Sequence, residues 1–208
     1  IGGFVGGIGK GMFEQLKDLD SDKLIDLGKG IAGIGIGIAA FVLKYRLPSN
    51  QIMKDKKIGP LQDAQRAIRV IRKNAENWNI NTEKVGVIGF SAGGHLAATL
   101  STQYNKKVYN FDENISARPD FSILLYPVIF MEDTYTHKGS QTYLLGENPS
   151  ESLKKEFTSS YQINSQTPPA FLVHAIDDQA VPVENSIEYF KSLKKENVAV
   201  ELHLYEKG

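Results

Sequence analysis

The chain has 208 residues, of which 41% are hydrophobic, and this fits one domain with a sizeable core. Lys plus Arg and Asp plus Glu both total 24, so the formal net charge is zero, which gives no electrostatic footprint for nucleic acid or an anionic membrane surface. Because the chain has no cysteine, disulfides, thiolate catalysis and cysteine-ligated zinc are excluded.

Residues 1–37 have the least regular pattern in the chain. Gly6–Gly11 imitates a phosphate-binding loop, but no G-x-x-x-x-G-K-[ST] pattern follows a strand there, which argues against nucleotide binding. Met12–Leu27 is charged and is predicted to be helical. The apolar run Gly30–Leu43 has about 14 residues, which is too short to span a bilayer, so it predicts a buried strand with a glycine-rich approach.

Strand patterns alternate with helical patterns along the rest of the chain. The predicted strands are Ile38–Tyr45, Lys84–Phe90, Phe121–Tyr126, Ala170–Ile176 and Val198–Tyr205, and the predicted helices are Leu61–Trp78, Ala92–Gln103 and Val183–Glu196. Most of these strands are nearly continuous apolar runs, as expected of parallel strands covered on both faces. The sequence therefore predicts an α/β protein: a doubly wound, mostly parallel sheet with helices on both faces, in a single domain over residues 1–208. The irregular segments are expected within residues 104–120 and 127–169.

A serine between two glycines lies where an apolar strand pattern passes into a helical one, in Gly89-Phe90-Ser91-Ala92-Gly93. A strand that turns into a helix through Gly-x-Ser-x-Gly exposes the serine hydroxyl on a strained turn, the nucleophile elbow. The glycines are expected because a Cβ at either position would collide with the neighbouring strand or helix. Ser91 is therefore the candidate nucleophile.

Two carboxylates, Asp177 and Asp178, follow a late strand at its carboxyl end. This is where the orienting acid belongs when the chain order of the catalytic residues is Ser, then Asp, then His. Either carboxylate could reach a histidine, and the other would then be a turn or helix-cap residue.

None of the four histidines fits the role of the general base. His95 lies inside the helix that follows the candidate nucleophile, and His174 lies within a strand, which favours a buried structural histidine. His137 precedes the acid in the chain, and His203 lies inside the last strand pattern instead of the loop beyond it. We therefore expect the base beyond Gly208.

Two N–H donors are expected to stabilise the oxyanion of acyl transfer. One is the backbone N–H of Ala92, the residue after the nucleophile, and the other normally comes from a glycine-rich loop near the N-terminus. Gly3 is the candidate for that second donor, and a glycine-rich terminus without this role is the alternative.

Five tyrosines lie in or beside the segments predicted to be irregular: Tyr109, Tyr126, Tyr135, Tyr143 and Tyr161. Loops beyond the carboxyl ends of parallel strands form the binding crevice of such sheets. These rings could stack on a sugar or an aryl group, or they could simply cover the sheet.

Four segments together carry a family resemblance: Ala40–Pro48, Pro60–Ala67, Gly89–Ala97 and Val173–Ser186. In this order they resemble the acetyl esterase and acetylxylan-esterase-like branch of the α/β-hydrolases, over roughly residues 38–208. The resemblance implies an α/β-hydrolase fold that this chain truncates at both ends, with residues 1–37 as an altered N-terminal part.

The resemblance also implies roles for individual residues. It implies Ser91 as the nucleophile, and it favours Asp178 over Asp177 as the acid because the family's acid stands four residues before the proline matched by Pro182. It further implies a Gly-His pair soon after Gly208, which would supply the base.

Residues and resemblance together predict a serine carboxylesterase that deacetylates carbohydrate esters of the xylan type, without a metal or organic cofactor. The expected partner is a small-molecule or oligosaccharide ester, and neither nucleic acid nor a membrane is expected. Two alternatives stay open: a serine peptidase of the prolyl-oligopeptidase type, and a non-catalytic hydrolase-fold binding protein. Comparison of ester with proline-peptide substrates separates the peptidase, and a histidine beyond Gly208 would argue against the binding protein.

Overall fold

Four parallel strands form the sheet in the computed structural model, which describes residues 38–111 and 114–208. The elements, in chain order, are α1 (Gly59–Lys73), β1 (Val87–Phe90), α2 (Ser91–Gln103), β2 (Ser122–Leu125), α3 (Lys138–Leu145), α4 (Glu151–Phe157), a 3₁₀ helix (Ser159–Gln162), β3 (Ala170–Ala175), α5 (Glu184–Lys195) and β4 (Val200–Tyr205). The strand order is β1-β2-β3-β4, and each neighbouring pair is parallel. The carboxyl ends of these strands therefore meet at one edge of the sheet.

The main core lies between the sheet and the helices α2 and α5. Leu124 of β2 and Leu172 of β3 are fully buried, in one cluster with Ala97 and Ala98 of α2 and Leu193 of α5. Buried and half-buried residues alternate along β2 and β3, as the period of two in a strand requires. The described helices α2 and α5 thus cover the face that carries the two leucines, and the small side chains of α2 allow it to approach the sheet closely.

The prediction of a strand over Ile38–Tyr45 is wrong. The structure assigns no regular secondary structure to these residues, and Ile38 and Val42 are exposed. A segment becomes a strand only when its backbone forms hydrogen bonds with a neighbouring strand. Within the described residues, none of the four strands forms such bonds with residues 38–45. The other four predicted strands are present, each a little shorter than its apolar run.

Side chains hold residues 38–47 in place. The ring centroids of Phe41 and Trp78 lie 5.4 Å apart. Arg46 donates to the carboxylate of Asp63 in α1 from its backbone N, at 2.8 Å, and from its guanidinium Nη2, at 2.8 Å. Because both groups of one arginine bind one carboxylate, the end of this segment is anchored to α1.

The helix predicted over Leu61–Trp78 is α1, but its ends differ from the prediction. It begins at Gly59, and Pro60 suits the first turn because its fixed φ is helical and its missing N–H needs no partner. It ends at Lys73, where the side chain of Asn74 donates to the carbonyl of Val70 at 2.8 Å and satisfies the last turn. The other two predicted helices agree with α2 and α5 to within one residue.

Residues 127–169, predicted to contain irregular segments, also contain the short helices α3 and α4. Both have capped N-termini: Nδ1 of His137 accepts from the backbone of Ser140, and Oγ of Ser150 accepts from that of Leu153. Sequence patterns missed these helices because segments of seven and eight residues are too short to establish a helical period.

Candidate active site

Ser91 lies at the junction of β1 and α2, where the sequence predicted a nucleophile elbow. Its φ is 49°, in the left-handed region that a residue with a side chain rarely adopts. The turn is held by its surroundings, because the carbonyl of Ser91 accepts a hydrogen bond from the backbone of Val128 at 3.1 Å. Within the described residues the hydroxyl of Ser91 has no hydrogen-bond partner, and the residue is only partly buried. The strained turn therefore presents a free hydroxyl at the carboxyl edge of the sheet.

The two glycines of the serine motif are not equivalent. A Cβ at Gly89 would lie 2.4 Å from the carbonyl oxygen of Gly93 and 2.8 Å from Cβ of Ala97, so α2 packs directly on β1 at this point. A Cβ at Gly93 would meet no described atom within 4 Å, so the expected collision is wrong for this glycine. The second close approach is at Gly94, where a Cβ would lie 2.7 Å from Cβ of Pro127.

We expect Gly89→Ala and Gly93→Ala to change stability in opposite directions. Gly89→Ala should lower the free energy of unfolding by about 1–3 kcal/mol, because its Cβ overlaps helix backbone that cannot move aside. Gly93→Ala should raise it by about 0.5 kcal/mol, because alanine is the better helix former and has room. Urea unfolding of the two variants measures the difference, and equal destabilisation by both would contradict this reading of the elbow.

The N-terminus of α2 provides the first predicted oxyanion donor. The helix begins at Ser91 without a side-chain cap, so the N–H groups of its first turn, including that of Ala92, have no intrahelical acceptor. The helix dipole adds partial positive charge at the same place. The second predicted donor, Gly3, lies outside the described residues, as does the predicted helix Met12–Leu27.

Asp178 is the ordered carboxylate in the turn after β3. Its Oδ1 accepts hydrogen bonds from the backbone N of Ala180 at 2.8 Å and of Val181 at 2.9 Å. Its Oδ2 lies 3.5 Å from Nε2 of His174, and its side chain keeps 20% exposure. Asp177, in contrast, is exposed, and its Oδ1 accepts from the backbone N of Gly208 at 3.1 Å.

Ser91 and Asp178 lie at the same edge of the sheet, two strands apart. Ser91 follows β1, Asp178 follows β3, and β2 lies between them. Neighbouring strands are about 4.8 Å apart, so the two turns are separated by about 10 Å. No hydrogen bond joins the two residues in the described part of the chain.

A groove of about 540 Å³ lies at this edge, over the ends of β2, β3 and β4. Tyr126, Asp178 and Tyr205 are among its lining residues. Tyr126 has a φ of 37° and directly follows β2, and its ring centroid lies 6.1 Å from that of Phe90, the residue before Ser91. Tyr126 is therefore placed beside Phe90, the residue before the candidate nucleophile, with 37% of its surface exposed.

The other four tyrosines make contacts elsewhere. The hydroxyl of Tyr109 accepts from Arg69, the ring of Tyr135 packs edge-on against a core phenylalanine, and Tyr161 donates to Glu132. Tyr143 is 73% exposed and lines a separate depression of about 420 Å³. Tyr126 is thus the member of the predicted set that lines the groove at the carboxyl edge.

Two of the four histidines have structural roles in helices, one inside α2 and one at the N-cap of α3. His95, in α2, is buried, with Nδ1 3.2 Å from the carbonyl oxygen of Val128 and Nε2 3.5 Å from the hydroxyl of Thr99. His137 caps α3 through the backbone and hydroxyl of Ser140. Neither ring contacts Ser91 or Asp178 in the described structure, so neither is placed as the base.

The other two histidines lie on strands, as the sequence predicted. His203 of β4 pairs with Glu201, and its ring centroid lies 5.0 Å from that of Phe171. His174 of β3 is 1% exposed, with hydrogen-bond partners at both ring nitrogens. His174 approaches Asp178, but its ring is enclosed between β3 and α5 and is not available to take a proton from Ser91.

We expect the stability of the fold to decrease as the pH falls from about 6.5 to about 4. Burial lowers the pKa of His95 from 6.5 to about 4. Between these values the unfolded chain binds a proton at His95 and the folded chain does not, so acidification favours unfolding. Burial also lowers the pKa of His174 and acts in the same direction.

Thermal unfolding between pH 4 and pH 8 measures this effect. The variant His95→Gln should show a shallower loss of stability over the same pH range, because its side chain does not titrate. An unchanged pH dependence in that variant would contradict the assignment.

Asn185 is a structural residue of the site that sequence reasoning missed. It is fully buried, and its Oδ1 accepts from the backbone of Ile129 at 2.8 Å and of Phe130 at 3.0 Å. Its Nδ2 donates to the carbonyls of Tyr135 at 2.7 Å and Pro182 at 2.9 Å. Asn185 therefore ties the segment after β2 to the end of the turn that follows β3 and carries Asp178 (residues 176–181, the acid turn). An asparagine near the start of a helix commonly binds nearby backbone groups, so its presence there did not indicate hydrogen bonds to residues 129 and 130.

Residues 38–111 and 114–208 contain no cluster of three or more His, Asp or Glu side chains arranged to hold a metal ion. Over the same two ranges, no helix has the length and apolar character needed to cross a membrane.

Comparison with known proteins agrees with this fold. The model of the BD-FAE family matches residues 30–193, which is more than half of the chain. The chain belongs to the BD-FAE family. An acetylxylan esterase from Xylanibacter ruminicola is 38% identical over 176 residues, and endo-1,4-beta-xylanase B from Butyrivibrio fibrisolvens is 37% identical over 174. Each alignment covers 83% of this chain but 34% and 27% of the respective relative, so the chain matches about a third of the first relative and about a quarter of the second.

Two solved structures extend the comparison of this BD-FAE chain. The acetyl ester-xyloside bifunctional hydrolase from Caldicellulosiruptor lactoaceticus is 44% identical with a TM-score of 0.74, over 83% of this chain and 62% of that one. MGS-M1, an alpha/beta hydrolase from a deep-sea metagenome library of the Medee basin, is 28% identical with a TM-score of 0.59, over 91% and 63%. The predictions of an α/β-hydrolase fold and of the esterase branch are confirmed.

Proposed function

We propose that this chain carries the nucleophile and the acid of a serine carboxylesterase that deacetylates carbohydrate esters of the xylan type. The observation that carries the proposal is the free hydroxyl of Ser91, held at a φ of 49° above an uncapped helix N-terminus. Backbone strain of this kind clusters at active sites, where the surrounding structure holds it in place. The chain's similarity to an acetylxylan esterase and to an acetyl ester-xyloside hydrolase supports the substrate class.

In the proposed reaction Oγ of Ser91 attacks the carbonyl carbon of the acetyl ester and forms an O–C bond. A histidine accepts the hydroxyl proton, the carbonyl oxygen becomes an oxyanion, and the N–H of Ala92 stabilises that charge at the N-terminus of α2. The bond to the sugar oxygen then breaks, and the histidine returns its proton to that oxygen. In the second half, the histidine accepts a proton from water, and the water oxygen bonds to the acetyl carbon. The bond between that carbon and Oγ of Ser91 then breaks, Oγ regains the proton from the histidine, and acetate leaves.

Asp178 is proposed to orient the histidine. Its Oδ1 is bound by two backbone N–H groups of its own turn, so Oδ2 is the atom left to accept from an imidazole. The gap of about 10 Å between the two turns suits an imidazole between the side chains, because two hydrogen bonds of about 2.8 Å plus the ring span about 8 Å.

The proposed base is a histidine in the loop that follows β4, beyond Gly208. The chain leaving β4 passes the acid turn, because the backbone N of Gly208 donates to Asp177 at 3.1 Å. A histidine soon after this point would start next to Asp178 and on the correct side of the sheet. None of the four histidines within the chain meets these requirements.

The groove over the carboxyl ends of β2, β3 and β4 is proposed to receive the sugar. The exposed rings of Tyr126 and Tyr205 give it flat apolar walls, and such rings suit the apolar faces of a pyranose. Asp178 and Lys207 contribute polar lining, so the groove combines stacking surface with the proposed catalytic carboxylate.

Substrate profiling of the intact gene product tests the proposal. Acetate release from acetylated xylan and hydrolysis of 4-nitrophenyl acetate are the expected activities, with proline-peptide and feruloyl ester substrates as comparisons. Cleavage of the proline peptide without acetate release would favour a peptidase. Binding of acetylated xylan without turnover of any ester would favour a non-catalytic protein.

A further inference from the structure

His174 connects the strand before the acid turn to the residues after it. Its Nε2 lies 2.9 Å from the carbonyl oxygen of Val181 and 3.5 Å from Oδ2 of Asp178, and its Nδ1 lies 2.8 Å from the hydroxyl of Ser186 in α5. The ring is 1% exposed and Ser186 is fully buried, so these contacts are shielded from water. One imidazole therefore contacts both ends of the turn and the carboxylate within it.

The partners of His174 determine which nitrogen carries the proton. The carbonyl of Val181 can only accept a hydrogen bond, so Nε2 must donate. Nδ1 is then free to accept from the hydroxyl of Ser186. This neutral tautomer satisfies both nitrogens, and burial lowers the pKa of His174, which keeps the ring neutral.

The charged groups that face His174 are both acidic. Asp178 is the nearer one, and Glu184 at the start of α5 also acts on the ring through its charge. Both favour a protonated ring, but burial is the larger influence and acts the other way. A neutral donor therefore lies beside Asp178 without adding a second positive charge that would compete with a catalytic imidazolium.

Val181 is held from two sides by this arrangement. Its N–H donates to Oδ1 of Asp178, and its carbonyl accepts from Nε2 of His174. The side chain of Val181 is 2% exposed and packs in a cluster with Val128 and Met131. Val181 thus closes the acid turn through its N–H and is held to β3 through its carbonyl, which His174 binds.

We propose that His174 is a positioning residue for Asp178: its Nε2–H fixes the acid turn through Val181 and aims Oδ2 toward the site of the catalytic base. This inference rests on the proposed function, since it assigns Asp178 the role of the orienting acid. His174 acts through Asp178 and does not touch the reacting atoms.

A double-mutant cycle in the intact gene product tests the proposal. His174→Phe keeps a ring but removes both nitrogens, and it should lower kcat for 4-nitrophenyl acetate by about 10- to 100-fold with KM changed less than about threefold. In the Asp178→Asn background the same substitution should lower kcat by less than about threefold, because the residue through which it acts is already disabled.

His95→Gln is the matched control. His95 is also a buried histidine bound to a backbone carbonyl and a hydroxyl, but it does not contact Asp178. If His95→Gln changes kcat, it should do so by the same factor in the unsubstituted protein and in the Asp178→Asn variant. An equal loss from His174→Phe in both backgrounds would mean that His174 stabilises the fold only, and it would overturn the proposal.

A measurement that does not need the His174 variant to fold completes the test. Two-bond ¹H–¹⁵N spectra of the unsubstituted protein should show His174 as the neutral tautomer with its proton on Nε2, and Asp178→Asn should move that resonance. A proton on Nδ1, or a resonance unaffected by Asp178→Asn, would overturn the positioning role. If Asp178→Asn keeps full kcat, the proposed acid itself fails, which is a separate result.

Discussion

Replacement of Ser91 by alanine is expected to abolish ester hydrolysis by the intact gene product, lowering kcat by about 10⁴- to 10⁶-fold. In the proposed reaction the hydroxyl oxygen forms the bond to the acetyl carbon, and alanine has no atom that can form this bond. Rates of 4-nitrophenyl acetate hydrolysis, measured by stopped flow for the unsubstituted protein and over hours for the variant, can detect a loss of this size.

The same substitution should leave the fold intact. Since the hydroxyl of Ser91 has no hydrogen-bond partner within the described residues, its removal leaves no buried group unpaired. The melting temperature should therefore change by no more than about 2 °C.

Ser165→Ala is the control for the nucleophile experiment. Ser165 is an exposed serine in the turn before β3, outside the groove, and its substitution should leave kcat and KM unchanged. Wild-type activity in the Ser91 variant would end the serine esterase proposal, and an equal loss in both variants would point to a general effect on the protein.

Asp178→Asn is expected to lower kcat by about 10³- to 10⁴-fold, which is the second largest effect. An amide keeps the shape of the side chain but removes the negative charge that stabilises an imidazolium. The residual activity comes from the nucleophile and the oxyanion donors, so KM should change little.

The neighbouring carboxylate offers a matched comparison. Asp177→Asn changes the same charge one residue earlier, but Asp177 is exposed and binds the backbone of Gly208. We expect its kcat to fall less than about threefold. If Asp177→Asn causes the larger loss, the two carboxylates have the opposite roles, and the inference about His174 fails with them.

The pH–rate profile distinguishes the two variants further. The acidic limb of kcat/KM should report the pKa of the proposed catalytic histidine, whose imidazolium form Asp178 is proposed to stabilise. Loss of that carboxylate should move the limb to lower pH, since the imidazole then loses its proton more easily. Asp177→Asn should leave the limb in place.

The nucleophile turn could be predicted from the sequence because its signals are local. An apolar run, a serine between glycines and a helical pattern follow one another within about 20 residues, and strand and helix propensities act over such distances. The same reasoning located the strand that precedes Asp177 and Asp178.

The wrong predictions concern features that depend on contacts between elements and not on local sequence. The run Ile38–Tyr45 has the composition of a strand, but a strand forms only when a neighbour supplies hydrogen bonds, and composition does not reveal the neighbour. The expected crowding at Gly93 failed for a similar reason, since it depended on which side of α2 faces the sheet.

The choice between Asp177 and Asp178 as the orienting acid shows most clearly what local sequence patterns can and cannot predict. Sequence patterns placed both at the end of a buried strand and left them equal, and family resemblance favoured Asp178. Their environments differ because Asp178 is bound by its own turn and faces His174, whereas Asp177 is exposed and binds Gly208.

The amino-acid order was sufficient for four strands, three helices and the position of Ser91 at a strand–helix turn, because backbone propensity and hydrophobic period are properties of short segments. Only the tertiary structure decided which groups meet: Asn185 binds the backbone of Ile129, His174 binds the hydroxyl of Ser186 in α5, and Gly89 packs on the backbone of α2. Such contacts join residues far apart in the chain or depend on how an element is rotated, and neither distance nor rotation is recorded in a linear pattern.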